Sequence, residues 1–192
     1  MTPRLLQPFG TRPNPRRAAA LLHPECPIEQ SLRSRDETVQ AALMQEIWRR
    51  ESFVADGVLL VADPKSLRVL ARCEAALRRP VAELRERHGE TVEVEAPAVR
   101  YAHGAPVLEP WMIVLASGPL AALSLVQYDL ARRGATITRV VPDRDPFVLE
   151  AEAPLGQLLG YDEWLVRHAE GVEASIWLSR YRPIGGDGPR AA

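Results

Sequence analysis

The sequence is short of several things, and each shortage removes a class of protein. Two cysteines, Cys26 and Cys73, cannot build a disulfide framework and form no C-x-x-C pair for a metal or a redox exchange. Lysine is nearly missing: all but Lys65 of the 24 basic residues are arginine. With 17 prolines beside it, that skew reads as the codon bias of a GC-rich, bacterial genome. It is not an RNA-binding signature, because 25 acidic residues bring the net charge to −1. A chain so close to neutrality has no bulk positive field for nucleic acid or an anionic membrane. No apolar run approaches the ~18 residues needed to cross a bilayer. Met1 to Arg17 has no apolar stretch of the secretory kind. The expectation is a reduced, cytoplasmic protein.

What is present is ordinary for a chain with a core: 46% hydrophobic and 26% charged residues. A length of 192 residues fits one domain or two small ones. Residues 1–25 read as a disordered-looking tail rich in proline, with Arg4, Arg12, Arg16 and Arg17. Residues 185–192, opening Gly185-Gly186-Asp187-Gly188, read as a second tail.

Between the tails one order of elements occurs twice. In residues 26–104, Pro27 to Ser34 reads as a strand and Arg35-Asp36 as the opening of a helix with Val39, Leu43 and Ile47 on one face. Phe53 to Ala55 and Val58 to Val61 bracket Asp56-Gly57, a hairpin signal. Asp63-Pro64 then reads as the start of a second helix carrying Leu70, Cys73, Leu77, Val81 and Leu84, kinked or split at Pro80 and closed by His88-Gly89. Val92 to Tyr101 reads as the last strand. In residues 105–184, Trp111 to Leu115 is a strand and Pro119 opens a helix ended by Arg132-Arg133-Gly134. Ala135 to Val141 and Phe147 to Ala153 are strands. Pro154 to His168 is a helix broken at Gly160. Val172, Ala174, Ile176 and Leu178 alternate as a half-buried strand with Trp177 on the other face. The fold class is therefore α+β, two consecutive ferredoxin-like βαββαβ modules.

The second module resembles the C-terminal domain, domain V, of elongation factor G. Val107-Leu108-Glu109-Pro110-Trp111-Met112 is similar to that family's first strand, and Arg132-Arg133-Gly134 to its R-R-G helix end. Pro154-Leu155, Leu158, Gly160-Tyr161 and Leu165 follow its P-L…G-Y…L segment, and Tyr181-Arg182-Pro183-Ile184 its terminal Y-x-P-V. The first module resembles domain III more faintly, through Pro97-Ala98-Val99-Arg100-Tyr101. No G-x-x-x-x-G-K-[ST] occurs, so nothing here cradles a nucleotide. Only Ala102 to Pro106 stands where the family carries its domain IV. The resemblance implies a non-catalytic, translation-related binding protein near the large-subunit stalk base.

Catalysis finds little support in the residues. His23, His88, His103 and His168 have no metal-ligand spacing, and no cofactor is implied. Asp143, Asp145, Asp162 and Glu163 are the candidates for a carboxylate pair, but Asp143 and Asp145 suit a hairpin turn, and Cys73 suits a small core position. The RRM pattern is missing, although Trp177 is a candidate sheet-face aromatic. The candidate ribosome- or partner-binding residues are Arg132, Arg133, Arg100, His103 and Trp177. The expected partner is the ribosome, with no DNA and no membrane. The alternative is a protein-interaction or regulatory module, homodimeric in one form, that kept the fold and lost the ribosome.

Overall fold

The computed structural model describes residues 23–49, 57–63, 65–102, 105–142 and 145–184. The chain is mixed α+β with two antiparallel sheets. The first holds β1 (Ile28–Ser34), β2 (Val58–Asp63), β3 (Ser66–Ala71), β4 (Val92–Val94) and β5 (Ala98–Val99). Helix α1 (Glu37–Arg49) follows β1, and α2 (Ala75–His88) follows β3. The second sheet holds β6 (Leu108–Gly118), β7 (Thr136–Val141), β8 (Phe147–Pro154) and β9 (Glu173–Pro183). Helix α3 (Leu123–Arg132) follows β6, and α4 (Leu155–Leu158) and α5 (Tyr161–His168) lie between β8 and β9. The strand orders are β2-β3-β1-β4, with β5 also on β1, and β7-β8-β6-β9. Within each sheet the first strand sits between the third and the last.

Local chemistry sets most of these boundaries. Asp36 Oδ1 accepts the N–H of Thr38 at 2.8 Å and of Val39 at 3.1 Å, which caps α1 where the sequence places its start. Gly134 and Gly160 have φ of +71° and +72°, which L side chains rarely adopt, so α3 stops at the first and α4 separates from α5 at the second. Helix α2 runs through Pro80 as one piece, from Ala75 to His88.

Two expectations change. Asp63 and Lys65 flank a hairpin turn between β2 and β3, not the start of a helix, and Leu70 lies in β3. The expected hairpin at Asp56-Gly57, with Phe53 to Ala55, falls mostly outside the described residues. β3 pairs with β1 and β2 on its two sides, and Leu67, Val69, Leu70 and Ala71 are all fully buried. A strand buried on both faces loses its alternation and reads like a buried helix segment. The expected strand from Val92 to Tyr101 is instead two short ones, β4 and β5, separated at Pro97.

The two sheets touch. Gly160 N donates to Glu74 Oε2 at 2.7 Å, Arg78 lies 3.6 Å from Asp162, and Tyr181 Oη donates to Pro24 O at 2.9 Å. Their buried residues form one apolar cluster, from Ile28 and Leu84 through Met112 to Leu165. Helices α1 and α2 are also tied by charge. Glu46 is fully buried, with Arg87 NH1 at 2.8 Å and His88 Nε2 at 3.1 Å. Burial alone would raise its carboxyl; the hydrogen bonds from Arg87 and His88 outweigh it and hold the group below the usual glutamate value.

Candidate functional site

Alternation along the second sheet sorts its side chains onto two faces. Met112, Val114 and Ala116 on β6 and Phe147, Leu149 and Ala151 on β8 are fully buried. Ala174, Ile176 and Leu178 on β9 pack with them. The opposite face carries Trp111, Ile113 and Leu115 on β6, Val148 on β8 and Trp177 on β9. Leu115 is 37% exposed, Val148 36% and Trp177 42%. Ile113 stands opposite Trp177 in the β6–β9 ladder, and Ser117 opposite Val148 in the β6–β8 ladder. Opposed side chains of a ladder lie within ~5.5 Å, so these residues form a strip along the middle of the sheet. Exposed apolar strips of this kind mark interaction surfaces.

The margin of the strip is fixed by ion pairs. Glu152 on β8 accepts from Ser179 Oγ at 2.8 Å and Arg180 NH2 at 3.2 Å, and Arg182 NH2 makes a closer contact still. Burial pulls the Glu152 carboxyl up, but these hydrogen bonds and the Arg182 and Arg180 charges hold it down. The Arg182 guanidinium also lies over the Trp111 ring, 3.9 Å from its centroid. Beside this cluster, Thr138 Oγ1 donates to the Glu150 carbonyl at 3.1 Å, and Arg139 is opposite Glu150 in the ladder. The open face is thus apolar in the middle, with acids and arginines balanced around it. On β8, Glu150 and Glu152 occupy the face where a base-stacking sheet presents aromatics. Carboxylates there repel phosphate.

The residues singled out from the sequence scatter. Trp177 lies on the open face, as alternation required. Arg132 is exposed near the end of α3, its guanidinium 5.9 Å from the ring centroid of Tyr128, which is 64% exposed. Arg133 turns inward: Nε donates to Asp129 Oδ2 at 2.6 Å, NH1 to Gln157 O at 2.8 Å, and its guanidinium covers the Tyr161 ring at 5.1 Å. Tyr161 is fully buried, and burial pushes its hydroxyl well above the usual tyrosine value. Arg100 is only 7% exposed. Its NH1 donates to Cys26 O at 2.5 Å and His23 O at 3.2 Å, and Nε faces Glu29 at 3.6 Å, so it knits the first sheet together and offers no surface contact. His103 lies outside the described residues.

Trp111, Ile113, Leu115 and Val148 were not singled out from the sequence. β6 is apolar at both parities, so nothing in its pattern says which side lacks a cover. The β8 alternation of Phe147, Leu149 and Ala151 against Val148, Glu150 and Glu152 was the one available signal.

A cleft of about 250 Å³ lies between the sheets, lined by Cys73, Glu74, Asp162 and Ser175 with Leu155 and Leu158 among its apolar walls. Glu74 is occupied by Gly160 N. Burial raises the Asp162 carboxyl, with Arg78 opposing. The lining holds no histidine to activate the thiol or the hydroxyl. His88 is bound to Glu46, and His168 Nδ1 lies 2.9 Å from Trp164 O. Among the described residues no group of three or more His, Cys, Asp or Glu could hold a metal ion, and no helix is long and apolar enough to cross a membrane. Compared with models of known families and with curated proteins, the chain matches none.

Proposed function

We propose that the protein is a non-catalytic, elongation factor G-like binding module of the bacterial cytoplasm that works at the ribosome, near the large-subunit stalk base. The two βαββαβ units are read as ferredoxin-like, a reading supported by the strand order they share. The observation that carries the proposal is the open face of the second sheet. Its apolar strip, Leu115, Val148 and Trp177, belongs to the unit whose motifs resemble domain V. Arg132, exposed at the end of α3, supplies a second contact able to reach phosphate.

Sedimentation of lysate through a sucrose gradient at physiological salt tests it. The expected result is migration with the large subunit, lost in a Leu115→Glu/Trp177→Glu variant and weakened by Arg132→Glu. Protein that stays at the top of the gradient across a salt series overturns it. Arg133 is unsuitable as a probe because it ties α3 to the chain before α5.

A second reading is favoured by the charge of the same face. Glu150 and Glu152 against Arg139, Arg180 and Arg182 leave it near neutral, which suits a protein surface better than rRNA. On that reading the module binds a protein, a second copy of itself included, away from the ribosome. Crosslinking that captures protein and no rRNA through the open face decides for it.

A further inference from the structure

Helix α2 covers the first sheet only along one side. The residues at positions 77, 78, 81, 82, 85 and 86 recur at steps of one, three and four, the spacing of a single helical stripe. Leu77 at its start is buried in the core and Val81 is half-buried against it, while Arg78, Ala82, Arg85 and Glu86 stand exposed. The stripe forms one wall of a groove of about 820 Å³ whose other wall is Gln30 on β1, Val94 on β4 and Pro97. The groove exists because β4 is only three residues long. Beyond it Pro97 breaks the strand, so the sheet edge that would shield α2 is cut short. With 14 residues at ~1.5 Å each, α2 gives the groove a length of about 21 Å.

Its floor is apolar: Leu77, Val81, Ala82, Val94 and Pro97. Its charges are unevenly occupied. At one end Glu74 holds Gly160 N, Arg78 faces Asp162 and Glu163 pairs with Arg167. At the other end, near Gly89, Glu86 and Glu90 have no ion-pair partner among the described residues. The C-terminus of α2 adds its own partial negative charge there, since the last carbonyls of a helix point outward. Among the described residues, Arg85 is the one nearby lining cation left to oppose them. The groove is therefore apolar along its length and negative at the Gly89 end.

We propose that this groove docks a segment of another protein that carries apolar side chains followed by arginine or lysine. The apolar residues lie on Val81, Ala82 and Val94, and the cation meets Glu86, Glu90 and the end of α2. This surface is separate from the open face of the second sheet, so the two readings stand or fall independently.

Selection from a library of displayed random peptides of about 14 residues on the full chain tests it. The expected result is enrichment of sequences with apolar residues followed by a basic one. Their affinity falls about tenfold or more on Glu86→Arg/Glu90→Arg, where both exposed carboxylates are reversed without touching the core. A Val81→Glu variant abolishes capture, with unchanged circular dichroism as the check on folding. The proposal is overturned by no enrichment, by enriched peptides without basic residues, or by equal binding to the charge-reversed variant. Enrichment that emerges only after deletion of residues 1–22 also overturns it, by assigning the groove to the chain's own arginine-bearing leader.

Discussion

Arg132 and Arg133 are neighbours in sequence with opposite surroundings. Arg132 stands in solvent beside Tyr128, whereas Arg133 satisfies Asp129 and the Gln157 carbonyl and covers Tyr161. Arg132→Ala is expected to leave stability within about 0.5 kcal/mol. Arg133→Ala is expected to cost about 1–3 kcal/mol, because Asp129, itself only 8% exposed, loses its partner. Urea unfolding of both variants checks the contrast. The sequence marked the pair as a helix end and could go no further, since which arginine turns inward depends on Gln157 and Tyr161, more than 20 positions away. The same limit hid Arg100, whose acceptors His23 and Cys26 lie across the first sheet. Glu46 makes a pH-dependent case. Its folded value is lowered, so its contribution is complete above the ordinary glutamate value of about 4.3 and fades as pH falls through the lowered one. Glu46→Gln is expected to destabilise by about 1–3 kcal/mol at pH 7. That difference is expected to shrink below about pH 4, which melts at pH 7 and pH 3.5 would measure.

At the scale of elements, close packing between β6 and the start of β9 depends on one missing side chain. A Cβ built on Gly118 would lie 2.7 Å from Val172 Cγ2 and 2.9 Å from Val172 Cα, closer than real Cβ atoms come. Gly118→Ala is expected to cost about 1–3 kcal/mol, since the nearer contacts include backbone that cannot swing aside. A thermal melt measures it. Legibility at this scale followed periodicity. α1, α3, α5 and β9 have one covered face each and were readable from spacing alone. β3 is covered on both faces, so Leu67 to Ala71 carried no period, and Asp63, which looked like a helix cap, ends β2 opposite Ser66. β6 posed the converse problem: its sequence is apolar without a break from Pro110 to Ala116, and only the helices on one side show that the strip through Leu115 is open.

For the whole molecule the question is whether the two sheets unfold together. The apolar cluster is continuous across them, and Glu74 and Arg78 at the start of α2 reach Gly160 and Asp162. A single cooperative transition is expected in calorimetry and in denaturant followed by tryptophan fluorescence, most of which reports on the second sheet. Glu74→Ala removes the acceptor of Gly160 N, and is expected to lower the midpoint and broaden the transition as the two halves lose coupling. Two resolved transitions in the unaltered chain would show that the shared cluster does not bind the halves. The repetition of one strand order was visible in the sequence as a repeated order of elements. The contact between the repeats was foreseeable only from the shortness of the joint at Ala102 to Pro106, because neither repeat shows which of its surfaces meets the other.

In both sheets the first and last strands are neighbours, β1 beside β5 and β6 beside β9. Each half therefore begins and ends at the same end of two adjacent antiparallel strands, and Tyr181 near one end of the described chain reaches Pro24 near the other. The polypeptide runs in a nearly closed ring. A circular permutant that joins these two ends through a short linker and opens between Ala102 and Leu108 would exchange the order of the halves while keeping every strand pair within both sheets intact.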